Sequence, residues 1–189
     1  MSGFRHLGDR LVHQGHVWHV AVAEYESPEG DRFSRDIVRS PGAVAAVPLR
    51  HRPDGSPYVT LVRQYRAPFD DVVLEIPAGM RDVADEPTEV TAARELVEEV
   101  GLRPGRLEFL MEFYPSVGMT DSVLHLFVAT DLVEVPRDVH GPEEAHMEVV
   151  EMGLAEAVQS ILDGEIHDAK TVIGLLMVDR RLREEQPRE

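Results

Sequence analysis

Residues 94–101 read RELVEEVG, with three carboxylates, Glu95, Glu98 and Glu99, gathered ahead of a glycine. At about 3.6 residues per helical turn, Glu95 lies one turn from both Glu98 and Glu99, so the three share a face. Like charges at that spacing cost a helix about 0.2–0.5 kcal/mol per pair. Glu98 and Glu99 also precede Gly101, a residue suited to a left-handed helix end, where the helix dipole favours cations. No cation follows at i+4 to relieve the face: position 102 is Leu, and 103 lies past the glycine. Carboxylates concentrated against local energetics suit a hard divalent cation. Mg²⁺ and Mn²⁺ take oxygen ligands in near-octahedral geometry and keep positions for water or substrate phosphate.

The helix that holds these residues is expected from Pro87, suited to a first turn, to about Val100. Val90, Ala93, Val97 and Val100 form its apolar stripe, with Leu96 at the edge and the glutamates opposite. Ahead of it, strands are expected over 16–25, 32–40, 42–49, 58–66 and 71–79. The run GAVAAVPL (42–49) is continuously apolar and fits a strand buried on both faces. SPEGD (27–31) and RPDGSP (52–57) are turns. Two further strands follow at 107–116 and 123–132, then an acidic loop over 140–148, and helices near 154–163 and 168–184. Strands with helices interleaved and appended imply a layered α/β fold, a mixed sheet between helices.

The chain as a whole narrows the chemistry. A formal charge of −16 over 189 residues argues against unspecific nucleic-acid binding, which needs a basic footprint. There is no cysteine, which excludes thiol catalysis, disulfides and thiolate-bound zinc. The nine histidines are scattered apart from His13, His16 and His19, whose spacing does not make a zinc site. No stretch has the length and apolarity of a membrane span, and the expected compartment is the cytoplasm.

From Gly79 the sequence reads GMRDVADEPTEVTAARELVEEVGL. It resembles the Nudix box, in which a glycine, a glutamate and the run Arg-Glu-aliphatic-x-Glu-Glu-x-Gly-aliphatic occur in order. Gly79, Glu86, Arg94, Glu95, Leu96, Glu98, Glu99, Gly101 and Leu102 fill the defined positions. The gap from Gly79 to Glu86 holds six residues, one more than the pattern, and the extra one falls in the loop before the helix. VRQYRAP, LEIPAG and GEIHDAKTVIGLL are similar to stretches of the ADP-ribose pyrophosphatase branch. The resemblance implies a Nudix-type α/β/α sandwich over 41–189, with an N-terminal β segment, 1–40, that builds a homodimer. It implies Mg²⁺-dependent cleavage of ADP-ribose to AMP and ribose 5-phosphate, with Mn²⁺ as a possible substitute.

Carried over residue by residue, the resemblance makes Glu95, Glu99 and the Ala78 carbonyl metal ligands. Glu98 would hold a second metal or order water, and Arg94 would hold the ligands in place through Glu98 or Glu86. Arg66 and Gly79 fall at substrate-contacting positions. Glu144, in preference to Glu143, matches the glutamate proposed in this branch as the base that deprotonates water. Glu75 is either a supporting carboxylate or an outward strand residue. SVGMTDS (116–122) departs from the branch, which tends to carry Pro-Gly followed by Asp-Glu there, and this leaves the exact substrate open. A GDP-sugar or dinucleotide hydrolase stands beside the ADP-ribose reading. A non-catalytic ADP-ribose sensor would fit a broken box or an appended DNA-binding module, and the sequence has neither.

Overall fold

A computed structural model describes residues 3–140 and 145–185. It divides into two compact units, one of residues 1–42 with 113–124 and one of the remainder.

In the first unit three antiparallel strands form a meander: β1 (Arg5–Gln14), β2 (His19–Glu26) and β3 (Arg32–Arg39). Strand β1 has no counterpart in the hydropathy pattern, because almost all of its side chains are exposed. Its pairing with β2, which runs from Arg5↔Glu26 to Gln14↔His19, makes it a strand. Segment 113–124 joins the unit through Val38 N–H, which donates to the Met119 carbonyl at 2.9 Å. Asp121 reinforces the join by accepting from Ser40 N–H at 3.0 Å and Arg39 Nη1 at 3.1 Å. The carboxylate that ties this segment to the end of β3, Asp121, stands where the branch also tends to carry Asp.

The second unit is a seven-stranded mixed sheet with helices on both faces. Its path is β12 (Glu148–Gly153), β5 (Pro57–Arg66), β4 (Ala43–His51), β10 (Leu124–Thr130) and β9 (Arg106–Phe113). β6 (Asp71–Glu75) pairs with β5, and β7 (Ala78–Met80) with β4. β8 (Leu102–Arg103) and β11 (Val133–Glu134) make a small separate ladder. The helices are α1 (Thr88–Val100), α2 (Leu154–Leu162) and α3 (Ala169–Glu185). As expected, β4 is buried on both faces. Val44 and Ala46 join Leu96 of α1 and Phe127 in one cluster, and Val47, next along the strand and on the other face, meets α3 beside Gly174.

The expected strand 71–79 is broken. β6 pairs with β5 as far as Glu75↔Val62, and β7 pairs with β4 from Ala78↔Ala45. At the break, Ile76 N–H donates to Thr171 Oγ1 at 2.9 Å, and Pro77 has no N–H to give. The chain thereby crosses from one strand to its diverging neighbour and presents Ala78 and Gly79 to α1. Strand β12, inside and beyond the expected acidic loop, is a further addition.

Helix α1 ends as expected, with Gly101 left-handed at φ 66°. Its orientation differs from the expected one. Val90 is 51% exposed, whereas Thr91, Ala92, Glu95, Leu96, Glu98, Glu99 and, of the expected stripe, Val100 are buried. Only the Val100 end of the apolar stripe, with Leu96, reaches the core, and the helix turns its carboxylates inward as well, over Ala78 and Gly79.

Candidate active site

The acidic cluster is built by the approach of α1 to β7. Glu99 Oε2 accepts from Ala78 N–H at 2.9 Å. Gly79 lies so close to Glu95 that a Cβ there would fall 1.9 Å from the carboxylate carbon. That glycine is therefore required by the close approach of backbone to side chain, not by its torsion angles. Arg94 spans the outer side of the cluster. Its Nη1 donates to Glu95 at 3.0 Å and Glu98 at 3.0 Å, and its Nη2 to Asp82 and Glu86, each at 3.3 Å. The expected pairing of Arg94 with Glu98 and Glu86 is present, and Asp82 and Glu95 extend it. His140 Nε2 sits 3.9 Å from Glu98 Oε1. Glu143 and Glu144 lie outside the described residues.

Burial sets the electrostatics. Taking Glu99 out of water pushes its carboxyl up to about 8, an effect the Ala78 amide only partly offsets. Among the described residues no three carboxylate or imidazole groups converge at metal-ligating distance. The donor set still fits a hard cation: three buried carboxylates on one helix face, one of them destabilised as an anion by burial. A divalent cation beside Glu99 would favour its charged form.

Beyond the cluster, Arg66 and Glu75 form a side-on ion pair. Arg66 Nε donates to Oε1 at 2.6 Å and Nη2 to Oε2 at 2.8 Å. Glu75 is 2% exposed, so it is not an outward strand residue. Burial raises its carboxyl, and the hydrogen bonds and charges of Arg66 and Lys170 outweigh that, leaving it below the usual range. Lys170 Nζ donates to Glu75 and pairs with Asp168 at 3.0 Å. Lys170 and Asp168 had no role in the sequence reading, although both lie in GEIHDAKTVIGLL, a stretch similar to the ADP-ribose pyrophosphatase branch. These four residues line a cleft of about 600 Å³ with Phe69, Val72 and His167. Arg66 also lies within electrostatic reach of Glu99, so it belongs to both the cleft and the cluster.

The chain matches the NUDIX domain family over residues 40–173. It belongs to the Nudix family. This Nudix chain is 36% identical over 164 residues to the methanol dehydrogenase activator of Bacillus methanolicus, covering 87% of this chain and 86% of that protein. It is 34% identical over 169 residues to the ADP-ribose pyrophosphatase of Bacillus subtilis (strain 168), covering 89% of each. A crystal structure of an ADP compounds hydrolase superposes with a TM-score of 0.80 at 24% identity, over 96% of this chain and 95% of that one, and shows the shared Nudix fold. With the acidic run of the motif intact, the Nudix chain is a pyrophosphohydrolase. Nudix hydrolases as a family use divalent metal ions.

Proposed function

We propose that this enzyme hydrolyses the pyrophosphate bond of ADP-ribose, or of a close nucleoside diphosphosugar, with Mg²⁺ as cofactor and Mn²⁺ as a substitute. The observation that carries the reading is the inward-turned triad of Glu95, Glu98 and Glu99 on Ala78–Gly79, with Arg66 alongside at the mouth of the cleft. The three glutamates and the Ala78 carbonyl would hold the cation. When bound, it supplies charge neutralisation to the diphosphate and acidifies the attacking water. Arg94 keeps Glu95 and Glu98 from swinging apart. Arg66 offers the guanidinium edge not used by Glu75 to a phosphate oxygen. Glu144 takes the proton as the water oxygen bonds to phosphorus and the bridging P–O bond breaks, leaving AMP and ribose 5-phosphate.

The proposal extends to assembly. β1 exposes Leu11 and Val12, and the hairpin ahead of β2 exposes Val17 and Trp18. An edge strand carrying apolar side chains on its open surface is the kind of surface a second copy covers, which supports a homodimer. No helix among the described residues is long and apolar enough to cross a membrane, and the proposed site of action is the cytoplasm.

A panel of ADP-ribose, GDP-mannose, NADH, diadenosine polyphosphates and nucleoside triphosphates, assayed with Mg²⁺, tests the substrate. AMP release from ADP-ribose in clear preference to the others is expected. Preference for GDP-mannose or a dinucleotide would replace this reading with another Nudix substrate class.

A further inference from the structure

The Glu75 carboxylate is already matched by Arg66, on both of its oxygens, yet a second cation reaches it. Lys170 is 9% exposed, so its ammonium has largely left water, which is unfavourable before any partner is counted. It also lies in the first turn of α3, where the helix dipole disfavours a positive charge. Glu75 and Asp168, in the wall of the cleft, offset that cost. Asp168 has its own task, accepting from Thr171 N–H at 3.0 Å and Thr171 Oγ1 at 2.6 Å to cap the helix. Thr171 Oγ1 in turn accepts from Ile76 N–H at the strand break. The first turn of α3 is thus bolted to the segment that presents Ala78 and Gly79.

Charge decides what Lys170 is for. Arg66 and Lys170 against Glu75 and Asp168 make a neutral quartet in the cleft wall. Asp71 and Glu165 also line the cleft, so without Lys170 the Arg66–Glu75 pair would sit in a still more acidic wall, facing a ligand that is itself an anion. We infer that Lys170 is a positioning residue for the hydrolysis: it neutralises Glu75, so that Glu75 orients the Arg66 guanidinium without cancelling its attraction for the diphosphate. This rests on the substrate being a nucleoside diphosphate compound, as proposed above. Glu75 is the orienting clamp, Lys170 the charge that frees the clamped arginine, and neither touches the reacting atoms.

The inference is tested on the full-length enzyme with Lys170→Met, Glu75→Gln and the double variant, by steady-state kinetics across ionic strength. Removing one charge from the wall should raise KM for ADP-ribose about tenfold or more and leave kcat within about threefold. Salt should then lower the apparent affinity of K170M less steeply than that of wild type. In the double variant KM should fall back toward the wild-type value, because the one carboxylate bonded directly to Arg66 has lost its charge. A role confined to stability would leave the double variant as impaired as K170M, or worse. A KM for K170M within about twofold of wild type, or no recovery in the double variant, overturns the inference. If K170M does not fold by circular dichroism, Lys170→Arg decides. Its KM is expected within about threefold of wild type, and a rise of about tenfold with the charge retained would refute the role. Failure of the wild-type enzyme to cleave ADP-ribose sinks the substrate reading alone, and the same comparison is then made on the panel compound turned over fastest.

Discussion

Gly79→Ala isolates the closest contact in the site. The added Cβ would stand 1.9 Å from the Glu95 carboxylate carbon and 2.1 and 2.3 Å from its oxygens. Ordinary contact begins near 3.4 Å, so the carboxylate must retreat by about 1.5 Å. It is the end of a flexible side chain, and the fold can yield there at a cost of about 1–3 kcal/mol. The chemistry cannot yield in the same way, because a ligand misplaced by about 1 Å costs on the order of a hundredfold in rate. G79A should therefore lose about a hundredfold in kcat/KM, or about 2.7 kcal/mol of transition-state stabilisation, with circular dichroism unchanged. AMP release under saturating Mg²⁺ measures the first, and thermal melting the second. Activity within about fivefold of wild type would refute the argument that Gly79 exists to admit the Glu95 carboxylate.

The acidic triad gives two further expectations. Glu95→Gln and Glu99→Gln should each lose most turnover with the fold retained, and near-normal AMP release from both would remove the metal-site assignment. Mg²⁺ should raise the melting temperature of the wild-type protein, and E95Q should erase most of that rise; an equal rise in both would place the ion elsewhere. In the N-terminal unit, hydrogen bonds from Arg39 hold the Asp9 carboxyl down to about 2 from 3.8. The stability this pair contributes is present above pH 3.8 and is lost as the pH falls through about 2. A carboxyl NMR titration of Asp9 should show that low midpoint, with Arg39→Gln moving it back up, and an ordinary midpoint in the wild type would contradict the pairing. Light scattering should find a dimer at micromolar concentration, and Leu11→Arg on the exposed β1 should weaken it; a wild-type monomer would refute the assembly.

The site was easier to read in the sequence than the surfaces that carry it. Glu95, Glu98 and Glu99 were conspicuous because their spacing opposes local helix energetics, and residues that do so are fixed by something other than folding. The same property concealed the helix orientation. An apolar periodicity locates the inner face only when polar side chains face water, and here the site buries three carboxylates while Val90 faces out. Strand β1 was illegible for the opposite reason: RHLGDRLVHQ has no buried face to leave a pattern, and only its ladder with β2 makes it a strand. The break at Ile76–Pro77 was visible as a proline, but the change of strand partner depends on Thr171, far away in the chain. Lys170 was visible only as part of the family-like stretch GEIHDAKTVIGLL, and its role arises where β6 and α3 meet.

The close fit of β7 to α1 also bears on the extra residue between Gly79 and Glu86. What sets the relative register of strand and helix is the pair of contacts Ala78–Glu99 and Gly79–Glu95, with no contribution from the length of chain between them. The connection is a tether, pinned by Arg94 at Asp82 and Glu86, and between those pins Glu86 N–H closes a turn on the Val83 carbonyl at 3.3 Å, with Asp85 left-handed at φ 60°. Lengthening such a tether by one residue costs only about 0.1 kcal/mol of closure entropy. An insertion between Val83 and Asp85 would open that turn without touching the Ala78–Glu99 and Gly79–Glu95 contacts, which makes this stretch a place to graft a label at the rim of a working site.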